Sequence, residues 1–223
     1  MRAAPGAIEK IKIEAESLNV KYKTIGNKKP LGICGSGIIQ VAAEMFKTGI
    51  ILPSGAFNRK LKTSRLRKNH EGYEFVLAWQ DETEAGIDIV ITQKDIRAIQ
   101  LAKAALYAGA KILMKHFGTD HVEQVALAGA FGTYIDKEAA MVIGIFPDCP
   151  VRKVSTIGNA AGEGGRLALL NLAKREEARL MARKVSYIEI ALDPSFQDEL
   201  VAAMIFPHRK DTFPHIEQLL PKT

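Results

Sequence analysis

Apolar and polar positions alternate from the start of the chain: Ile11 and Ile13 fall on one side, Lys10, Lys12 and Glu14 on the other. A period of two is that of a strand with one wet face. Val20 and Tyr22 repeat the pattern among Lys21 and Lys23, and Gly26-Asn27 supplies a turn. The chain is therefore expected to open with a hairpin-like pair of strands. Leu31 to Gly37 is rich in glycine, and Ile38 to Phe46 reads as a helix closed by Gly49. Ile50 to Gly86 is loop-rich, with one strand expected from Tyr73 to Trp79.

Further on the period changes. Ile87 to Ile91 is a short apolar strand, and Thr92 with Asp95 three residues later has the form of a capping box. The pattern assigns Ile96, Ile99, Leu106, Leu113 and Phe117 to one apolar face of the helix that follows, with Gly118 as its stop. Val122 to Ala128 reads as a buried strand that breaks into Gly129-Ala130-Phe131-Gly132. Asp136 caps a short helix from Lys137 to Ile143, ended by Gly144. Lys153 to Ile157 is a further strand, meeting Gly158-Asn159-Ala160-Ala161-Gly162. One long helix is expected from there to about Lys184, apolar at Leu169, Leu170, Ala173 and Leu180, before a last strand from Val185 to Ala191. Strand, glycine loop and helix recur in this half, so the fold class is α/β in three layers. The chain divides on this reading into a strand-rich start (1–30), a mixed region (31–90), an α/β core (91–191) and a tail (192–223).

Composition narrows the class. The 223 residues are 47% hydrophobic and 25% charged, as in an ordinary soluble domain with room for a real core. No apolar run approaches the roughly 18 residues of a membrane span, and no apolar signal core follows Met1, so a cytoplasmic protein with no membrane partner is expected. Two cysteines, Cys34 and Cys149, cannot supply the four thiolates of an iron–sulfur cluster. Charge is uneven: residues 1–70 hold 14 Lys and Arg against 4 Asp and Glu. The densest run, Arg59 to Lys68, has no aromatic for base stacking, so a solvated loop or a docking patch for an acidic partner is expected rather than nucleic acid.

A strand that ends in glycines lets backbone approach a ligand, and the helix after it presents free N–H groups. Residues 32–37, 129–132 and 158–165 have that form. None carries the Gly-Lys-Ser/Thr of a phosphate loop or the Rossmann spacing, and Gly35-Ser36-Gly37 lacks the glycines of a nucleophile elbow. Each loop could equally serve tight helix–sheet packing, but three on one chain favour a nucleotide or other anionic ligand. The five histidines suit surface or capping roles: His116 and His121 lie five apart across Gly118, and His208 and His215 sit in a tail punctuated by prolines. No metal ligand and no catalytic residue is assigned.

Several segments taken together resemble one family: Met1 to Glu9 (Met-Arg-Ala-Ala-Pro-Gly-Ala-Ile-Glu), Gly32 to Ile39, Leu127 to Asp136, Gly144 to Cys149, Gly158 to Gly162 and Ile205-Phe206-Pro207-His208. They look like the C-terminal ATPase domain of the reductive activators of corrinoid proteins, matched in order from the first residue to at least His208. The resemblance implies an actin-like fold of the acetate and sugar kinase, Hsp70 and actin superfamily. It implies that ATP hydrolysis is coupled to delivery of a low-potential electron, returning a Co(II) corrinoid protein to Co(I) for methyl transfer. The electron enters through an iron–sulfur cluster on a ferredoxin-like donor domain or chain.

Carried onto this sequence, the adenosine of ATP or ADP, with Mg2+, lies against Gly129, Ala130, Phe131 and Gly132. Gly158, Asn159 and Ala160 pack beside it, and the Gly35, Ser36 and Gly37 turn is the third candidate. The family's Asp-Gly-Thr-type phosphate loops lie upstream of the segment matched by Met1. The chain therefore resembles the second part of a larger activator, lacking the lobe with the phosphate loops, and is expected not to turn over by itself. In related dehydratase activators a cysteine before a similar helix start ligates a shared cluster, but buried packing is the reading adopted for Cys34. A homodimer, a non-catalytic docking or dimerisation fragment, and a small-metabolite phosphotransferase of the same superfamily are the other expectations.

Overall fold

A computed structural model describes residues 1–221; the last two residues of the expected tail lie outside the described residues. The alternating start forms β1 (Ala7–Ile13) and β2 (Val20–Thr24), antiparallel, with Ile11 and Ile13 buried. A two-residue strand, β3 (Gly32–Ile33), runs parallel to the beginning of β1 and feeds α1 (Gly35–Lys47). Helix α1 lies along β1. Its Gln40 and Glu44 side chains accept from the Ile11 and Ile13 N–H groups at 2.9 and 3.0 Å, satisfying donors that the sheet leaves free.

A second antiparallel sheet joins β4 (Leu66–Asn69), inside the stretch expected to be loop-rich, to β5 (Gly72–Ala78) and β6 (Ile89–Thr92), which answer to the strands expected at 73–79 and 87–91. Strand β5 is central, and Phe75 to Ala78 are fully buried. The basic run is turn and irregular over residues 59–65, with Lys60, Lys62 and Lys68 exposed, and its last three residues enter β4. Arg59 lies over the Tyr73 ring, Arg65 donates to the Val76 and Leu77 carbonyls and sits over Trp79, and Arg67 pairs with Glu74 and Asp88. Folding spends the three arginines on intramolecular partners.

Helix α2 (Gln93–Phe117) begins at the expected box: Thr92 accepts from the Asp95 N–H, and Asp95 accepts from the Thr92 N–H. Its apolar face is corrected. Ile96 and Ile99 are buried, but Leu106, Leu113 and Phe117 are exposed. The buried face is partly polar, with Gln100, Lys103 and Tyr107 inside. The tail decides this. It folds into α7 (Phe196–Ala203) and a 3-10 turn at Pro214–Leu219, and it hydrogen-bonds back to α2. Gln100 donates to the Met204 carbonyl, Lys103 to those of Ile205 and Pro207, and the Tyr107 hydroxyl to Asp211.

The second α/β unit comprises β7 (Val125–Ala128), α3 (Gly129–Tyr134), α4 (Lys137–Val142), β8 (Val154–Gly158), α5 (Ala160–Leu170) and α6 (Leu172–Lys184), with β7 and β8 parallel. Helix α4 is capped by Asp136 as expected, and packs on α1 in the core. The single long helix is broken at Asn171, whose φ of −140° and ψ of 113° are extended and whose side chain caps α6. The strand expected over Val185 to Ala191 does not form; that stretch is irregular and enters a 3-10 turn at Ile190–Leu192. No residue of α5 or α6 is buried.

Candidate functional site

The three glycine turns, spread over more than 120 residues of sequence, are brought together. Strands β7 and β8 end side by side, with Ala128 opposite Gly158, so the 129–132 and 158–160 turns are neighbours. Gly129 (φ 86°) and Gly158 (φ 62°) take the left-handed conformation that turns each strand into its helix, and nothing lies within 4 Å of where a Cβ would stand on either. The third turn joins through Phe131. Its ring reaches across to α1 and lies 3.2 Å from the position of a Gly35 Cβ, so a side chain at 35 would displace it.

The candidate residues then separate by what they touch. Gly37 is buried, and a Cβ there would collide with the Ile8 carbonyl oxygen: it permits α1 to sit on β1. A Cβ on Gly132 would stand 3.0 Å from that of Leu127, so Gly132 lets α3 fold back on β7. Both glycines serve packing, and Gly132 also lines the apolar cleft described below. Ser36 shares a contact of 3.3 Å with the Cys34 thiol, which also donates to the Ile8 carbonyl. The Asn159 side chain accepts from the Gly162 N–H at 3.0 Å and caps α5. Open to a ligand are Gly129, Ala130, the half-exposed face of Phe131, Gly158, Ala160 and Gly35.

Backbone contributes to the electrostatics at this mouth. Neither Cys34, which precedes α1, nor Ala128, which precedes α3, caps its helix with a side chain, so the first-turn N–H groups of both helices lack that partner. Unsatisfied donors at the positive end of a helix dipole favour an anion. Beside them lies an apolar cleft of about 340 Å³, walled by Leu106, Ala126, Ala128, Phe131, Ile135 and Phe146. Its chemistry suits a flat apolar group such as a nucleobase.

The donor set fits a nucleotide but not a metal. Among the described residues no cluster of three or more His, Cys, Asp and Glu could hold a cation, and both cysteines are free and buried. Cys34 is a packing residue whose thiol is satisfied by backbone. Burial and the Asp148 carboxylate push the Cys149 thiol up.

A second polar cavity, of about 450 Å³, lies between α2 and the tail and contains none of the glycine turns. Lys111 and Tyr107 both contact Asp211, and Asp148 meets His215 at 2.6 Å. Burial raises the Asp211 carboxyl, but the hydrogen bonds from Lys111 and Tyr107 outweigh it and hold the group below the usual range. Nothing in the sequence signals this group, because its members lie 67 to 104 residues apart. Of the two roles expected for the histidines, His208 takes capping and not the surface. It is buried and stacked on Tyr107 at 4.5 Å, and its Nδ1 accepts from the Lys210 and Asp211 N–H groups.

The family described as the C-terminal domain of RACo, the ASKHA domain, matches residues 1–217. The chain is 37% identical over 215 residues to the corrinoid activation enzyme RamQ of Eubacterium limosum, an alignment covering 92% of this chain and 36% of that protein. A solved structure, the reductive activator for corrinoid, iron–sulfur protein, superposes with a TM-score of 0.84 at 41% identity, over 93% of this chain and 33% of that one. The chain thus spans about a third of the length of these relatives.

Proposed function

The chain belongs to the family of the RACo C-terminal, actin-like ASKHA domain, and from that premise we propose that it is the nucleotide-binding part of an ATP-dependent reductive activator of a corrinoid protein. The carrying observation is the convergence of residues 35, 129–131 and 158–160 at one mouth, with open left-handed glycines and two helix starts free of side-chain caps. The relatives' names supply the substrate class: both are activators of corrinoid systems.

In this reading Gly129 and Ala130 admit the adenosine where any larger side chain would fill the space. Phe131 supplies an apolar wall, and the first-turn N–H groups of α1 and α3 face negative charge. Gly37 and Gly132 hold the two helices close enough to do so. The chain's own residues supply no metal ligand cluster among those described, so Mg2+ and the terminal phosphates fall to loops carried elsewhere in an activator. The iron–sulfur cluster likewise belongs to a ferredoxin-like domain or chain, and the electron it delivers takes the corrinoid from Co(II) to Co(I) for methyl transfer, in the cytoplasm. The exposed parallel pair β7–β8 supports the idea of a half-site, since parallel strands are ordinarily covered on both faces.

The test is calorimetric titration of the chain with Mg-ADP and Mg-ATP. Similar, modest binding of both is expected, because an adenosine half-site without phosphate loops cannot distinguish them. Absence of binding to either would show that this chain is a docking or dimerisation part without a nucleotide site of its own.

A further inference from the structure

The hairpin β1–β2 presents an outer face made of lysine. Alternation sends Ile11 and Ile13 to the core and Lys10 and Lys12 to solvent, and the strand register sets Lys10 directly opposite Lys23 and Lys12 directly opposite Lys21. All four are exposed. Directly opposed residues lie about 5 Å apart across a strand pair, and alternate residues about 7 Å apart along it. Four lysine side chains therefore rise from a two-by-two grid of strand positions. Like charges directly opposite destabilise a sheet, and a Lys–Glu pairing at the same positions would do the reverse. Two carboxylates fence the grid: Glu14 reaches Lys21 at 2.7 Å and Glu9 reaches Lys23 at 3.8 Å. Among the described residues Lys10 and Lys12 meet none.

We infer that this outer face is a docking surface for an acidic patch on a folded protein partner, with carboxylates spaced about 6–7 Å apart, as at i and i+4 of a helix or i and i+2 of a strand. The face is too small and too fenced for a nucleic acid: phosphates follow one another along a backbone that would run into Glu9 and Glu14, and no aromatic or arginine faces outward from these strands. No apolar side chain stands among the four lysines to enter a lipid surface. A compact acidic protein surface meets all four charges. Resting on the function proposed above, the partner is the corrinoid protein. The other basic run is a weaker candidate: its arginines are engaged within the fold, and its exposed Lys60, Lys62 and Lys68 are divided between irregular chain and β4 rather than set opposite one another.

The experiment uses a full-length activator containing this chain and the corrinoid protein it reduces. Lys10, Lys12, Lys21 and Lys23 are each changed to Gln in one variant; a control variant carries Lys60→Gln, Lys62→Gln and Lys68→Gln. Association is measured at low and high salt, together with melting temperature, Mg-ADP binding and corrinoid reduction. The expected result is that the hairpin variant melts about 2–4 °C higher, binds Mg-ADP unchanged, and binds the corrinoid protein about tenfold or more weakly with a shallower salt dependence. The control variant should stay within about twofold of wild type. Unchanged affinity in the hairpin variant, with reduction intact, overturns the docking surface and leaves the proposed function standing; so does an equal loss in the control variant. Loss of duplex-DNA binding with corrinoid-protein affinity unchanged overturns it in favour of a nucleic acid. A wild-type activator that neither binds nor reduces the corrinoid protein overturns the functional reading and, with it, this partner.

Discussion

Glycine carries three different physical meanings here, and only the neighbours of each position tell them apart. At Gly37 the missing Cβ makes room for the Ile8 carbonyl, a backbone atom that cannot rotate away. Gly37→Ala should therefore cost about 2–3 kcal/mol in urea unfolding. At Gly129 no atom is near, and the demand is the left-handed φ alone. Gly129→Ala should cost only about 1 kcal/mol, yet weaken Mg-ADP binding, because the new methyl enters the space proposed for the adenosine. Equal stability losses for the two variants would contradict this division. At Gly35 the constraint is the Phe131 ring, which joins two turns nearly a hundred residues apart. All three glycines were visible as candidates in the sequence, but whether each admits a ligand or a neighbouring strand was not.

Among the elements, α2 shows how far a periodic pattern can mislead. Its cap was legible because Thr92 and Asp95 act within one turn. Its buried face was not, because polar Gln100, Lys103 and Tyr107 are inside only when the carbonyls and Asp211 of the tail come to meet them. Burial lowers Lys103 to about 7, against the two carbonyl acceptors and the Phe206 ring that favour its charged form. Helices α5 and α6 are the opposite case: Leu169, Leu170 and Leu172 are 72–78% exposed, and no residue of either helix is buried. A helix without buried contacts opens easily. Amide exchange of the chain should accordingly be fastest in α5 and α6 and slowest in β5 and in α2 from Ile96 to Ile112. Comparable protection in α6 and β5 would count against this.

For the molecule as a whole, the junction of α2 with the tail contributes to the response to acid. Burial lowers His208 to about 4, below its ordinary 6.5. The unfolded chain then binds a proton between those values that the folded chain refuses, so stability is retained above about 6.5 and falls as pH drops towards 4. The loss across that window should be about 2–3 kcal/mol, read from urea midpoints at pH 7 and 4.5. His208→Asn, which keeps an acceptor for the Lys210 and Asp211 N–H groups, should flatten the slope; an unchanged slope would assign the acid response to other groups.

The sequence by itself determined what acts over a few residues: the opening hairpin, the capping box at Thr92, the Asp136 cap, the glycine turns, and the ordered segments that mark the family. Alternation, caps and left-handed turns are local, so the residues that specify them are adjacent. Tertiary structure alone decided which side of α2 faces inward, that Arg59, Arg65 and Arg67 are spent within the fold, that His208 is buried, and that the turns at 35, 129 and 158 share one mouth. Each of those depends on contacts between segments tens of residues apart. Burial and charge pairing there are settled by what the distant partner offers, and no local pattern records it.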